Sequence, residues 1–430
     1  MTGVPLLNNR IKIQNGHIID PKNGIDEVGD LYIEAGKIVA PQPEKFKDAV
    51  KIDASKQIVC PGLIDLRAAL REPGLEHKGN VQSETSAAAK GGITRVVIEP
   101  DTTPVIDTPA VVELIQQRNH QAGLCHVSVL GALTQDLAAQ QISEMGALAK
   151  SGCVGVSQAR ENLNDLNLWR KAVAYASTFN LPVFTHALDS ALTDQGVMHQ
   201  SAISTRLGLR GIPDCAETVA VASQLLIFEE TQSRGHFCNL TSNKATRMVG
   251  RARFDGVPVS SDVAIHHLFL THEHLIDFDG RYLVQPPLRS AEDRQGLIRG
   301  LKENIIQAIC SDHLPHEADA KLAPLDQVEA GISGLETLLS LVVKLAKVGD
   351  FKLNDLLAKV TSEPAEILSL NSGHLAIGAP ADVCIFDLNA TWKVKGEEFV
   401  SQGKHTPFDG WELPAPVTHT FLDGRLVYQK

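Results

Sequence analysis

The strongest constraint on the fold is an alternation of apolar runs and helix-like stretches that repeats eight times between residues 58 and 347. The apolar runs cover residues 58–66, 94–99, 126–133, 152–157, 181–186, 236–241, 257–263 and 307–311. The helix-like stretches between them cover residues 80–91, 109–122, 135–150, 165–179, 214–234, 243–254, 291–304 and 335–347. Strands that alternate with helices form parallel sheets, and eight such units can close a barrel. We therefore expect an α/β fold, a (β/α)8 TIM barrel with its functional residues just after each strand.

Both ends of the chain have a different pattern, with short alternating strands around turn residues. IKIQNGHIID and DLYIEAGKIVA alternate around Asn-Gly and Ala-Gly near the start, and VTHTFLDGRLVYQK turns at Asp423-Gly424 near the end. Because chain termini often lie close together, the two ends can share one small domain. We predict a composite β-sandwich domain from residues 1–57 and 370–430, and a barrel domain from residues 58–369.

Composition narrows the class of protein. A net charge of −11 argues against a nucleic-acid-binding protein, because such proteins need a basic surface. The sequence lacks an apolar run of the roughly 18 residues that a membrane span needs, and its start does not resemble a signal peptide. The seven cysteines form no C-x-x-C pair, which argues against a disulfide framework or a cysteine zinc site. We expect a cytoplasmic protein.

The stretch PGLIDLRAALREPG at residues 61–74 ends the first apolar run in polar side chains. It resembles the first barrel strand of dihydroorotases and related cyclic amidohydrolases, whose motif is PGLID-x-H-x-H-L-R-E-P-G. The two histidines of that motif bind zinc in the family. Here Arg67 and Ala69 stand in their places, so the frame of the motif is present without its metal-binding pair.

Further motifs of the same family follow in the family's order along most of the chain. They are GGITRVVIEPDTTP (91–104, family GGxTxVxxMPNTxP), LPVFTHALD (181–189), LGLRGIPDCAE (207–217), HFCNLTS (236–242), IHHLFLT (265–271), PPLR (286–289), SDHLPH (311–316), GISGLE (331–336) and HTPFDG (405–410). The resemblance implies the amidohydrolase type of TIM barrel, and an enzyme of this family would use zinc to activate water.

The ligand positions that the resemblance implies are mostly lost. The corresponding residues are Arg67, Ala69, Gln158, Ala159, His186, Asn239 and Asp312. Only His186 and Asp312 keep a zinc ligand, and Asp312 matches the aspartate that also serves as the family's general base. Because catalytic zinc needs about three protein ligands, we expect no metal here. Arg67 places a permanent cation at this position, and we predict that its guanidinium pairs with Asp312.

The substrate-binding positions have also changed. Arg71 and His316 match two residues that hold the substrate carboxylate in the family, whereas Asp101 and Gln285 replace asparagines. The carboxylate of Asp101 would repel an anionic substrate. Arg71 and His316 can still bind a small anion; otherwise we expect them to pair with acids such as Glu72 or Asp101.

The leading functional hypothesis is therefore a catalytically inactive dihydroorotase homologue without a cofactor. Non-catalytic chains of this family partner aspartate carbamoyltransferase and stabilise its active assembly, and the resemblance implies the same role in pyrimidine biosynthesis. Such a chain should form homo-oligomers within a larger hetero-oligomer, expose a large apolar patch and bury more than about 1,000 Å² with its partner.

Two alternatives predict different chemistry. In the first, the chain is an active zinc-dependent dihydroorotase or cyclic amidase with a relocated metal near His266, His267, His272 and His274. In the second, it is a sensor that binds a pathway metabolite through Arg71 and His316 without converting it.

Overall fold

A barrel of eight parallel strands forms the centre of the computed structural model, which describes residues 10–161 and 163–430. The strands are neighbours in chain order: Leu63–Asp65, Ile93–Ile98, His126–Ala132, Gly155–Ser157, Val183–Thr185, Gly235–Phe237, Val259–Ala264 and Ala308–Cys310. A parallel bridge between Ala68 and His313 joins the two ends of this sheet. The predicted TIM barrel is confirmed.

One helix follows each barrel strand and packs on its outside. These helices are Val81–Lys90, Pro109–Ala122, Met145–Lys150, Leu166–Ser177, Asp214–Thr231, Asn243–Phe254, Ala291–Lys302 and Leu338–Val348. Shorter helices lie in the connections and after the last strand: Ser190–Thr193, Ala202–Leu207, Leu353–Ala358 and Ser362–Ile367. None of the helices in the described ranges is both long and apolar enough to cross a bilayer.

The predicted helix at residues 135–150 is wrong over its first half. A short 3-10 turn, Gln135–Leu137, precedes the α-helix Met145–Lys150. Asp136, Leu137 and Ala139 have φ angles of 53°, 55° and 55°. A left-handed backbone cannot continue a right-handed helix, so this segment forms a loop.

Strands from both ends of the chain form a second, mixed sheet. Its strands are Arg10–Asp20, Ile25–Glu34, Lys37–Val39, Val50–Asp53, Ile58–Pro61, Val383–Phe386, Val417–Leu422 and Arg425–Gln429. The strand Ile58–Pro61 joins the two halves, because it pairs with Arg10–Asp20 on one side and Val383–Phe386 on the other. The boundary that we expected after residue 57 is therefore wrong for this strand, and the first barrel strand begins at Leu63.

Apolar side chains fill the barrel interior, and polar groups replace them where the strands end. Ile64, Val97 and Phe184 are buried together inside the barrel. Arg67 and Asp312 follow the first and last strands and are also buried. The strand ends therefore bring charged groups together on an apolar floor, where each charge needs a partner.

Gly62 connects the terminal sheet to the first barrel strand and lies against Thr94. A methyl group at position 62 would lie 2.2 Å from both Thr94 Cγ2 and Thr94 Oγ1. Because the branched Thr94 side chain is buried and restricted in rotation, we expect Gly62→Ala to lower the free energy of unfolding by about 1–3 kcal/mol. Urea unfolding measures this change. Gly29→Ala is the control, since its nearest neighbour would be 3.6 Å away; equal losses in both variants would contradict the packing argument.

Candidate functional site: a buried arginine at the barrel mouth

Arg67 lies at the mouth of the barrel with only 5% of its surface exposed. Its Nε donates to Asp312 Oδ1 at 2.6 Å, and its Nη2 lies 2.7 Å from Glu99 Oε2. Its Nη1 contacts the ring of His186. One guanidinium therefore binds the residues that follow the second, fifth and eighth barrel strands, and the predicted pairing with Asp312 is confirmed.

A second arginine completes this group of charges. Arg160 Nη2 donates to Asp312 Oδ1 at 2.9 Å. Arg67, Glu99, Arg160, His186 and Asp312 are called the Arg67 cluster below. Its two guanidinium groups balance its two carboxylates, so the cluster carries no net charge while His186 is neutral. Buried ions are tolerated when they are paired in this way, and removing one of them leaves an uncompensated charge.

The pKa shifts within the Arg67 cluster agree with this charge pattern. Burial raises the pKa values of Glu99 and Asp312, but the surrounding groups together outweigh it. Arg67, His186 and Arg160 lower the pKa of Glu99, and Arg160 and Arg67 lower the pKa of Asp312. Burial and the charge of Arg67 lower the pKa of His186. The two carboxylates are therefore ionised at neutral pH and the imidazole is neutral.

The two residues predicted to match the bridging ligand, Gln158 and Ala159, lie beside the Arg67 cluster and are not part of it. Gln158 accepts a hydrogen bond from Thr134 Oγ1 at 3.0 Å and donates to the Leu137 carbonyl at 2.8 Å. The methyl group of Ala159 is buried and offers no ligand atom. Gln158 is therefore held by the loop after the third barrel strand.

Asn239 is buried among polar groups of the barrel interior. Its backbone N–H donates to Asp262 Oδ1 at 2.6 Å, and its Oδ1 accepts from Cys310 Sγ at 3.1 Å. Ala69 stands at the second histidine of the family's His-x-His pair, and its backbone N–H donates to the His313 carbonyl. Neither side chain supplies a strong metal ligand at the mouth.

The backbone at the mouth keeps a left-handed conformation at several of these positions. The φ angles of Arg71, Ala159, Asn239 and Asp312 are 65°, 51°, 51° and 49°. Such angles cost a non-glycine residue roughly 1–2 kcal/mol and often occur at functional sites. The ends of the barrel strands therefore have the strained backbone that is often found at active sites, although most side chains at the family's ligand positions cannot bind zinc.

The described residues do not fit the zinc site that the resemblance implies. His186 and Asp312 are the two family positions that still offer a ligand, and Arg67 contacts both of them. Catalytic zinc takes about three protein ligands and a water molecule. The permanent charge of Arg67 at the same place would also repel a dication.

The two residues predicted for anion binding lie together beside the Arg67 cluster. Arg71 Nε donates to the Pro315 carbonyl at 3.1 Å, and its Nη2 lies 3.3 Å from His316 Nε2. His316 Nδ1 lies 3.2 Å from Glu329 Oε2. Burial and the charge of Arg71 lower the pKa of His316 to about 3, so the imidazole is neutral.

His316 pairs with a neighbouring acid as expected, but that acid is Glu329, and among the described residues no ion pair within 4.0 Å joins Arg71 or His316 to Glu72 or Asp101. Glu72 accepts from the Val81 N–H at 2.9 Å, which places its carboxylate at the start of a helix. Asp101 is exposed. Partial burial of its carboxyl by neighbouring protein atoms, followed by the charge of Glu99, raises the pKa of that carboxyl.

Two small cavities adjoin the Arg67 cluster in the described ranges. A cavity of about 70 Å³ lies beside Arg160, His186 and Gln285, and a second of about 210 Å³ adjoins His186 and Gln158. Small-molecule pockets usually have volumes of about 300–1,000 Å³. Each of these two cavities is therefore smaller than an ordinary ligand pocket.

The four histidines considered for a relocated metal are distributed over separate contacts. The rings of His266 and His267 pack 4.4 Å apart, His272 Nδ1 lies near the Arg289 carbonyl, and His274 bonds to the Thr271 backbone. Burial lowers the pKa of His266 to about 4. Within the described ranges, no three of them bring ligand atoms together.

Other groups of at least three potential ligand side chains occur elsewhere in the described residues. They are His236, Cys238 and Asp262; His126, Asp382 and Asp423; His199, Asp214 and Asp293; and His316, Glu317 and Glu329. Hydrogen bonds and ion pairs already join members of each group, including His236 Nε2 to Asp262 Oδ2 at 3.0 Å.

Glu99 and Arg160 belong to the Arg67 cluster but were not predicted from the sequence. Glu99 stands where the family motif GGxTxVxxMPNTxP has methionine, so a new buried acid opposite Arg67 was detectable. Arg160 directly follows the lost bridging position in VGVSQAR. Both residues supply charges that complement Arg67 and Asp312.

Comparison with known proteins agrees with this arrangement of strands and motifs. A family model described as "Dihydro-orotase-like" matches residues 56–245. The "Dihydroorotase-like protein" of Pseudomonas aeruginosa is 44% identical over 421 residues, which cover 97% of this chain and 99% of that protein. This chain belongs to the dihydroorotase-like family.

Two further relatives and one solved structure are also similar to this dihydroorotase-like chain. The "Dihydroorotase-like protein" of Pseudomonas putida is 42% identical, with 97% of this chain and 99% of that protein covered. The "Dihydroorotase" of Syntrophotalea carbinolica is 37% identical, with 98% and 99% covered. The solved L-hydantoinase of Arthrobacter aurescens has a TM-score of 0.87 at 22% identity, with 98% and 96% covered, which shows the same fold.

Replacing Arg67 with methionine should strongly destabilise the protein. Arg67→Met leaves Glu99 and Asp312 with fewer counter-charges in a buried site, so we expect a loss of about 3–5 kcal/mol in the free energy of unfolding. Chemical denaturation measures it. The control is Lys395→Ala, which removes an exposed ion pair with Glu398 and should cost less than about 1 kcal/mol. Similar losses in both variants would contradict the assigned role of Arg67.

The stabilising contribution of Glu99 should depend on pH. Its pKa is lowered in the folded protein, so its contribution is present above the unfolded value of about 4.3 and is lost as the pH falls through the lowered folded value. We expect Glu99→Gln to be less stable than the native chain at pH 7, with a smaller difference below about pH 4. Denaturation at several pH values tests this; a constant difference would show that the Glu99 charge is not involved.

Proposed function

We propose that this dihydroorotase-like chain is a catalytically inactive homologue with a structural role, in which it assembles or activates aspartate carbamoyltransferase in de novo pyrimidine biosynthesis. The observation that carries the proposal is the position of Arg67, which binds both remaining ligand residues, His186 and Asp312. The names of the Pseudomonas relatives support it, since both are called dihydroorotase-like proteins.

The chemistry of the Arg67 cluster gives a physical reason for inactivity. Hydrolysis of a cyclic amide needs an activated water, and zinc supplies this in related enzymes by lowering the pKa of the water. Arg67 cannot take this role, because its hydrogen bonds are directed at protein groups. Asp312 is also a weak base, since Arg67 and Arg160 help to lower its pKa.

A chain without catalysis at its barrel mouth would act through its surface. Several large apolar side chains are more than half exposed in the described residues, and they include Val28, Leu226 and Phe254. Contiguous exposed apolar surface is typical of proteins that bind other proteins, and Leu226 belongs to such a surface with Leu225 and Met248. The proposed partners are the catalytic chain of aspartate carbamoyltransferase and further copies of this chain, with no cofactor.

Reconstitution with aspartate carbamoyltransferase tests the proposed role. We expect the two purified chains to sediment together as a larger complex and the carbamoyltransferase activity to rise, because a stable assembly needs the surface of this chain. The same preparation should not convert dihydroorotate with or without added zinc. Zinc-dependent turnover would overturn the proposed inactivity, and failure to form a complex would overturn the structural role.

Restoring two histidines should not restore hydrolysis. The double variant Arg67→His, Ala69→His still has Gln158, Ala159 and Asn239 at ligand positions, so we expect no dihydroorotate turnover after incubation with zinc. A variant that also carries Asn239→His is the matched comparison. Zinc-dependent activity in the double variant would show that those positions are not needed and would contradict the ligand assignment.

A further inference from the structure

An apolar groove lies between two outer helices of the barrel, Asp214–Thr231 and Asn243–Phe254. Its volume is about 780 Å³, and Leu225, Leu226 and Met248 line it. Leu226 is 66% exposed. The two helices are about 27 Å and 18 Å long at 1.5 Å per residue, so they offer an extended surface. Leucine side chains in an open groove of this size favour a protein partner.

The two sides of the groove carry opposite charges. Glu229 lies on the first helix, whereas Lys244, Arg247 and Arg251 recur at intervals of three or four residues on the second. Arg251 pairs with Asp255 at 2.8 Å. Across the described ranges, Glu229, Lys244 and Arg247 have no ion-pair partner within 4.0 Å. The groove therefore offers an acidic edge and a basic edge that are both available to a partner.

A second copy of the chain matches this arrangement. A two-fold axis along the groove places the first helix of each copy against the second helix of the other. Glu229 then faces the basic edge of the partner copy, and the apolar residues between the edges meet each other. Each contact between an acidic edge and a basic edge occurs twice in such a dimer, so the charges of both copies are paired.

We propose that this groove is the interface of a homodimer. The chain as a whole has a net charge of −11, which opposes self-association, so the basic edge is needed to attract the acidic edge of the other copy. The proposal gives a surface to the self-association proposed above, and it does not rest on the role with aspartate carbamoyltransferase, because it concerns the purified chain alone.

Charge reversal tests the interface. We expect the native chain to form dimers in sedimentation velocity experiments. Glu229→Lys and Arg247→Glu should each weaken the dimer at least ~10-fold, because each places like charges at both symmetric contacts. An equimolar mixture of the two variants should form heterodimers, since each contact then joins opposite charges. Circular dichroism checks that both variants are folded.

The control is Lys47→Glu, which reverses an exposed charge in the terminal domain and should leave the dimer unchanged. A native chain that stays monomeric at all concentrations would overturn the proposal, as would single variants that dimerise normally or a mixture that fails to associate. If the native chain is monomeric and Glu229→Lys impairs only binding to aspartate carbamoyltransferase, the groove serves that partner and the homodimer is rejected. Failure of the carbamoyltransferase complex with an intact dimer would reject only the proposed function.

Discussion

The mouth of this barrel depends on one buried guanidinium group. Arg67 lies between two carboxylates and an imidazole that follow three different barrel strands. Charges that are taken out of water need partners with good geometry, and a planar guanidinium can bind several oxygens at fixed angles. The Arg67 cluster therefore joins the strand ends that would surround a metal pair in an active relative.

The surrounding structure has the backbone of a family active-site mouth, but the side chains within that mouth differ from the family motif. Ala159, Asn239 and Asp312 have left-handed backbone conformations, as strand ends at functional sites often do. The cavities beside the Arg67 cluster are smaller than ordinary ligand pockets. Asp101 adds a carboxylate where the family binds an anionic group. The same mouth therefore has fewer candidate metal ligands and more paired charges than the family motif implies.

Much of the barrel could be predicted, because alternating strands and helices leave a local pattern in the sequence. The strand Ile58–Pro61 was assigned to the wrong sheet, since a short buried apolar strand has the same composition in either one. The loop over residues 135–139 was missed because its left-handed residues are not glycine.

The site was predicted in part. The motif places Arg67 and Asp312 at neighbouring strand ends, so their pairing followed from the barrel. Glu99 and Arg160 were not predicted from the family motifs, because neither residue stands at a ligand position. Which acid or base turns toward Arg67 depends on packing across the mouth, and this is not encoded in the spacing of any one motif.

The most direct test of the account is the zinc content of the purified chain after incubation with excess zinc and desalting. Since Arg67 already binds His186 and Asp312, we expect far less than one zinc ion per chain, and Asp312→Asn should have the same zinc content. One or two tightly bound zinc ions per chain that are lost in Asp312→Asn would contradict the account, because they would place a metal where Arg67 provides the charge.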